Sequence, residues 1–270
     1  GGGAAIPAAK IALERLGMQV HSINGKPDGH FTARPSEPRE EHLEELQRTV
    51  VEEGADIGIA FDGDADRIVT FDEKGNYVQP DYTIELLCRT QREPGPAVLN
   101  VGVSLHTIAA IRDMGFEIIP CRWGQTFMAQ LIKDHDAVFS AEPDGHFGFP
   151  ELSLRGDAVA SAVLLTSALT HEKRSYSEVI ASMPRINIIN DRVVWDDDFL
   201  HYADELQAWL EERFSDVKRL HPRLIMANGG DTKLIARQSP FDSTLRLSAE
   251  SYGDVPPEEW LSKMKEIVLR

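Results

Sequence analysis

Residues 59 to 71 read IAFDGDADRIVTF, with Asp62, Asp64 and Asp66 at alternate positions and only Gly63 and Ala65 between them. Small spacers let the chain curl until three carboxylates face one point, and hard oxygen donors of that kind suit Mg²⁺ or Ca²⁺ rather than a soft metal. Like charges packed between two apolar runs repel one another unless a cation offsets them. Arg67 follows directly, and a guanidinium beside such a site is suited to gripping a phosphate that the metal also polarises. The stretch points to a divalent cation held where phosphoryl transfer takes place. The plain alternative is a solvated acidic turn between two strands. An EF-hand is a partial match, since Asp62, Asp64, Asp66 and Glu73 fall at loop positions one, three, five and twelve. That loop needs glycine at its sixth position and helices on both sides, whereas here Arg67 follows the aspartates and the flanks, IAF and IVTF, read as strands.

The elements around these residues alternate. GGGAAIPAAKIALERLGMQV runs from a glycine turn into an apolar-periodic helix (Ile6, Ala9, Leu13, Leu16) that stops at Gly17, then into the strand-like MQVHSI. In an α/β unit that first helix follows a strand, so the spacing predicts a strand upstream of residue 1 and a longer polypeptide. A helix near Glu40 to Glu53, strands Asp56 to Phe61 and Ile68 to Phe71, and a helix near Tyr82 to Arg89 come next. Glu93-Pro94-Gly95-Pro96 interrupts both helix and strand, which marks a linker. The pattern then restarts with strands Ala97 to Val101, Phe116 to Pro120 and Ala137 to Ala141, and helices near Leu105 to Met114, Gln125 to Lys133 and Asp157 to Leu169. After Pro184 come strand Ile186 to Trp195, helix Phe199 to Phe214, strands near Lys233 to Ala236 and Thr244 to Ala249, and a helix near Pro257 to Val268. The fold class predicted is α/β: two consecutive α/β mixed-sheet domains, residues 1–94 and 95–184, followed by a smaller α+β C-terminal domain, residues 185–270.

Composition narrows the partners. With 44 acidic residues against 28 basic and a formal charge of -16, the 270-residue chain repels nucleic acid and anionic membrane surfaces, so neither is expected as a partner. An anionic small substrate needs local Lys, Arg or metal charge. Hydrophobic residues at 42% support a packed core. Two cysteines, Cys88 and Cys121, without CxxC spacing support neither a disulfide framework nor a thiolate zinc site, and a reducing cytoplasm is the expected setting. The most apolar stretch, Ala158 to Leu169, is too short to span a bilayer.

ADIGIAFDGDADR, preceded by PDGHFTARPSEPREEHLEEL, resembles the second domain of the α-D-phosphohexomutases, the phosphomannomutase/phosphoglucomutase group. The resemblance covers essentially the whole chain as domains two to four of a four-domain enzyme. It implies that Asp62, Asp64 and Asp66 hold Mg²⁺ and that Arg67 steadies the transferring phosphoryl group. SAEPDGHFGF, residues 140–149, resembles the family's sugar-recognition loop, GE-P-SGH in most members, with Ala141 in place of glycine and Asp144 in place of serine. It implies that Glu142 and Asp144 face the sugar and that His146 donates to it or helps move a proton. ARQSPFDSTLRLSAES, residues 236–251, stands where the family has R-P-S-G-T-E-P-x-x-R, a loop that clamps the phosphate not being transferred. Arg237, Ser239 and Arg246 align with that clamp, while Pro240 and Phe241 remove two donors. CRWGQTFM, residues 121–128, occupies the place of a third-domain loop, with Gly124 and Phe127 fitting and Arg122 supplying the charge that Thr126 does not.

The family reaction uses a phosphoserine in a Ser-His-Asn/Asp context within the first domain, and no such segment occurs among these residues. Ser36 and Ser104 are explained by loop and helix-start chemistry. Two functions follow. One is most of a phosphohexomutase interconverting the 1- and 6-phosphates of glucose or mannose, an isomerase of carbohydrate metabolism whose phosphoserine domain is expected in the full-length protein, this chain alone being inactive. The other is a non-catalytic divergent relative that binds a sugar phosphate or a protein partner.

Overall fold

A computed structural model describes residues 2–194, 199–239 and 243–269. The chain divides into two compact units, Gly1–Pro184 and Arg185–Arg270. In the first unit, helix α1 (Ile6–Arg15) leads through a loop and a 3-10 turn (Glu40–His42) to α2 (Glu44–Glu53). The antiparallel sheet β1 (Ile57–Phe61), β2 (Ile68–Asp72) and β3 (Tyr77–Val78) follows, then α3 (Pro80–Cys88). A second layer comprises β4 (Pro96–Asn100), α4 (Leu105–Asp113), β5 (Glu117–Cys121), α5 (Gln125–Asp134), β6 (Phe139–Ala141) and β7 (Phe147–Gly148). Its sheet runs in the order β5-β4-β6-β7, parallel except for the β6–β7 hairpin. Helices α6 (Ala158–His171) and α7 (Tyr176–Ala181) close the unit.

The fold class is the expected one: consecutive α/β layers, then a sheet-plus-helix unit. β4 is central and parallel, so helices cover both faces, and its last four residues are all buried; that is why it reads as an unbroken apolar run, PAVL, before Asn100. Ile68, Phe139, Phe147 and Leu165 are almost fully buried in one core that joins β2 to the second sheet and α6. Helix starts are capped from the sequence: Ser104 Oγ accepts from the His106 amide, and Asp157 accepts from the Ala160 amide. At α7, Ser175 and Glu178 form a reciprocal capping box, so Ser175→Ala should lower unfolding free energy by about 1 kcal/mol in urea titration.

The second unit is a five-stranded antiparallel sheet in the order β8-β12-β11-β10-β9, with β8 (Ile188–Val194), β9 (Asp216–His221), β10 (Leu224–Gly229), β11 (Thr232–Gln238) and β12 (Thr244–Ser251). Helices α8 (Leu200–Glu211) and α9 (Pro257–Val268) pack on one face, over Ile225, Leu234, Leu245 and Leu247. Trp195, at the end of the expected first strand, and Pro240 and Phe241, in the β11–β12 connection, lie outside the described residues.

Three sequence expectations are corrected. MQVHSI, residues 18–23, is not a strand: it belongs to no β-ladder among the described residues. Strands β9 and β10 were not expected; β9, DVKRLH, is an exposed edge with charges on both faces and so lacks the alternation that marks a half-buried strand. Helix α7 was not expected either, although its S-x-x-E box was visible in the sequence.

Cys88 and Cys121 are 0% and 1% exposed. Burial first, with Glu85 beside one and Glu142 beside the other, pushes both thiols up to about 12. Neither should react with an aromatic disulfide reagent at neutral pH until denaturant is added, when both titrate.

Candidate active site

Between β1 and β2 the chain winds tightly, with Ala65 in the left-handed region at φ 65°. That turn aims the amides of Asp66 and Arg67 at one oxygen of Asp62, at 3.0 and 3.1 Å. Asp62 is 3% exposed, and its other oxygen accepts from Arg67 Nε at 2.8 Å. Arg67 also lies 3.8 Å from Asp66 and 3.9 Å from Glu37. Burial works against its charge, but Asp62 outweighs that and raises its pKa. Oxygens of Asp62, Asp64 and Asp66 all come within 4.8 Å of one another. Three hard carboxylate donors at that spacing, with Asp64 exposed, suit Mg²⁺. Glu73 is held elsewhere: its carboxylate accepts from the hydroxyl and amide of Ser177, at 2.5 and 3.0 Å, so the EF-hand reading fails in space as it does in sequence.

The structure brings the second motif to the first. The β6–β7 hairpin turns at Gly145, whose φ is 100°, and the Ile68 amide donates to Gly145 O at 3.1 Å. A Cβ at Gly145 would lie 2.4 Å from Ile68 O, so only glycine permits this approach. His146 forms a bridge with Arg67 and inserts between carboxylates: Nε2 is 3.2 Å from Asp66, and Nδ1 is 2.8 Å from Asp144 and 3.6 Å from Glu142. Burial opposes a charge on this imidazole, yet Asp144 and Asp66 outweigh it and push the pKa up to about 10. His146 is thus a cation at neutral pH that donates from both nitrogens. Its hydrogen bonds hold Asp66 below the ordinary carboxylate range and, against burial, do the same for Asp144.

Glu142 is 2% exposed, and burial, with Asp144 nearby, raises its pKa. Its oxygens accept from Asn100 Nδ2 at 3.0 Å, Gln125 Nε2 at 2.6 Å and, at 3.5 Å, the Gly124 amide. The sequence reading missed Asn100, Gln125 and Arg34. Asn100 ends β4 and Gln125 opens α5, places where polar side chains face a cleft in α/β layers. Arg34, in the loop before α2, donates from Nη2 to Phe61 O and from Nη1 to Pro35 O at 2.7 Å, tying down the approach to the aspartates. Arg122 does not stand alone as a cation, because its guanidinium lies 3.2 Å above the Phe127 ring.

In the second unit, Arg237 on β11 and Arg246 on β12 are cross-strand partners, and Arg246 donates to Ser239 Oγ at 3.4 Å. All three therefore share one end of the β11–β12 ladder, with the two arginines facing each other across it.

Two family models match successive stretches: phosphoglucomutase/phosphomannomutase alpha/beta/alpha domain II over residues 1–75, and domain III over residues 79–186. The chain belongs to the α-D-phosphohexomutase family. A probable phosphoglucosamine mutase of Methanopyrus kandleri is 31% identical to this chain over 264 residues, spanning 96% of the chain and 58% of that protein. A phosphoglucomutase/phosphomannomutase family protein from Burkholderia thailandensis shares the fold, with a TM-score of 0.84 at 19% identity over 98% of this chain and 57% of that one. Aspergillus fumigatus N-acetylphosphoglucosamine mutase, crystallised with GlcNAc-6P and magnesium, gives a TM-score of 0.59 at 14% identity, covering 78% and 48%. The chain thus spans under three-fifths of the length of these relatives. Among its described residues no helix is long and apolar enough to cross a membrane.

Proposed function

We propose that this chain supplies the metal-binding and sugar-binding parts of a cytoplasmic phosphohexomutase that interconverts the 1- and 6-phosphates of glucose or mannose. The observation that carries the reading is the 3.2 Å contact between His146 and Asp66, which joins the aspartate loop to the loop bearing Glu142. Asp62, Asp64 and Asp66 would hold Mg²⁺, which, when bound, offsets negative charge on a phosphoryl group in transfer. Arg67, fixed by Asp62, presents its remaining guanidinium N–H groups to phosphate oxygens. Glu142 offers sugar hydroxyls lone pairs not taken by Asn100 and Gln125, and Asp144 presents a carboxylate at the loop tip. His146 donates protons from fixed positions. Arg237, Ser239 and Arg246 hold the phosphate that is not transferred.

In this reading the phosphoryl-carrying serine belongs to the full-length protein, so the 270-residue chain binds substrate without turning it over. Calorimetry of the purified chain with glucose 6-phosphate, mannose 6-phosphate and glucosamine 6-phosphate, with and without Mg²⁺, should show binding of at least one. A coupled assay should show no conversion of glucose 1-phosphate. Turnover by this chain, or no binding of any of the three, would overturn the reading.

A further inference from the structure

The sheet of the second unit carries both its helices on one face, and register shows what the other face bears. Leu234, Leu245 and Leu247 pack under α8 and α9, and on β8 Asp191 pairs with Lys265 of α9, so the residues between them turn away from the helices. Among these, Arg192 on β8 stands opposite Arg246 on β12, which in turn stands opposite Arg237 on β11. Three arginines thus form one row across three adjacent strands. The next row toward the β11–β12 connection brings the hydroxyls of Ser239 and Thr244, whose backbones meet through a 2.9 Å hydrogen bond. On the other side Asn190 stands opposite Ser248. Among the described residues of these three strands, the nearest carboxylate on this face is Glu250, two rows from Arg246 and paired with Lys233 at 3.3 Å.

Like charges directly opposite one another destabilise a sheet, so a row of three guanidiniums carries a cost that an anion lying over it removes. The row also concentrates positive charge in a chain whose formal charge is -16. Arg192 is exposed, and among the described residues its guanidinium makes no hydrogen bond or ion pair; only its backbone amide is engaged, donating to Asp191.

We propose that Arg192 is a third arm of the phosphate clamp and that it makes the clamp select a phosphate dianion over a singly charged group. The proposal deepens the reading in which Arg237, Ser239 and Arg246 hold the phosphate that is not transferred, and it rests on that reading. Neighbouring strands lie about 4.8 Å apart, so Arg192 and Arg237 flank Arg246 from backbones about 10 Å apart, and a phosphate over Arg246 is within reach of both flanking side chains. Each guanidinium presents paired N–H donors to paired oxygens. The β11–β12 connection includes Pro240, which has no amide N–H, and Phe241, whose side chain donates nothing, so donors from β8 add what that connection does not. The attraction each guanidinium adds scales with the charge of the ligand. A phosphate monoester, at about -2 near neutral pH, therefore gains more from Arg192 than a singly charged sulfate ester does.

The test compares the 270-residue chain with Arg192→Ala, Arg192→Lys, Arg246→Ala and Arg219→Ala. Arg219, on β9, stands opposite Ile225 on the helix-covered face and pairs with Asp204, so its removal takes the same charge from the same sheet on the wrong side. Calorimetry at neutral pH and low salt measures glucose 6-phosphate against glucose 6-sulfate. Arg192→Ala should weaken the phosphate ester about tenfold and the sulfate ester only about threefold, with Arg192→Lys between it and the parent chain and Arg219→Ala within about twofold of the parent. The urea midpoint of Arg192→Ala should not fall, because the residue is exposed among like charges. In arginine side-chain NMR the Arg192 Nε–H resonance should move on addition of glucose 6-phosphate. Equal losses for the two esters, or an Arg219→Ala loss as large as that of Arg192→Ala, would overturn the proposal. If Arg246→Ala weakens binding and Arg192→Ala does not, the third arm falls and the clamp stands. If neither variant weakens it, or the parent binds neither ester, the clamp and its third arm fall together.

Discussion

Asp62→Ala is expected to weaken divalent cation binding by about a thousandfold and to destabilise the first unit in the same stroke. The carboxylate holds two backbone amides and the Arg67 guanidinium, and it is 3% exposed. Breaking a buried pair from one side costs about 3–5 kcal/mol, because the remaining charge keeps its desolvation penalty. Arg67 is 23% exposed and retains Asp66 at 3.8 Å, so the loss should fall near about 2–3 kcal/mol. Counting even a single unit of the cation's charge at about 4 Å, one charge removed from its donors is worth about 4 kcal/mol at an effective dielectric of about 20, which corresponds to a drop in affinity of about 10³-fold. Mn²⁺ titration followed by electron paramagnetic resonance, with urea denaturation on the same samples, checks both. Asp64→Ala is the companion: this residue is exposed, so it should weaken the ion while leaving stability within about 0.5 kcal/mol. Cation affinity unchanged in both variants would remove the metal site.

Gly145→Ala should detach the Glu142–His146 loop from the aspartate loop. The substitution carries two penalties: a left-handed backbone for a residue with a Cβ, about 1–2 kcal/mol, and a contact of 2.4 Å with Ile68 O that the strand cannot yield without shifting, about 1–3 kcal/mol more. Gly17→Ala separates the two, because Gly17 has φ 85° with nothing within 4 Å of the added atom. It should cost only the backbone part and leave binding untouched. Sugar phosphate affinity, measured beside Mn²⁺ affinity, should fall for the Gly145 variant while the ion still binds. Sugar phosphate binding equal to that of the parent chain would show that the junction of the two loops does not form the site.

The aspartate loop was legible because its chemistry is local: three carboxylates and an arginine within six residues need only one turn to meet. The sugar loop was legible only by resemblance, since nothing in SAEPDGHFGF announces that His146 will reach Asp66. Asn100 and Gln125 were invisible for a different reason. Their role is to donate to Glu142 from 42 and 17 positions away, and such pairing exists only once β4 and α5 converge on the β6–β7 hairpin. Elements with a clear apolar pattern, the periodic face of α9 and the unbroken run of β4, matched their predicted positions closely, whereas β9 did not announce itself because an edge strand facing water has no apolar alternation to show. Met18 to Ile23 has the right side chains for a strand, and among the described residues it has no strand beside it with which to form a ladder.

The way Glu142 is wired has a stereochemical corollary. Amide groups from β4 and α5 grip its two oxygens, so the carboxylate has no freedom to swivel after an arriving hydroxyl. A polyol whose ring carbon bears the opposite configuration would offer its proton where no lone pair waits, and the protein would not remould itself to meet it. Discrimination between epimers would then reside in a rigid template present before any ligand arrives, and swapping Gln125 for a shorter amide should blur it.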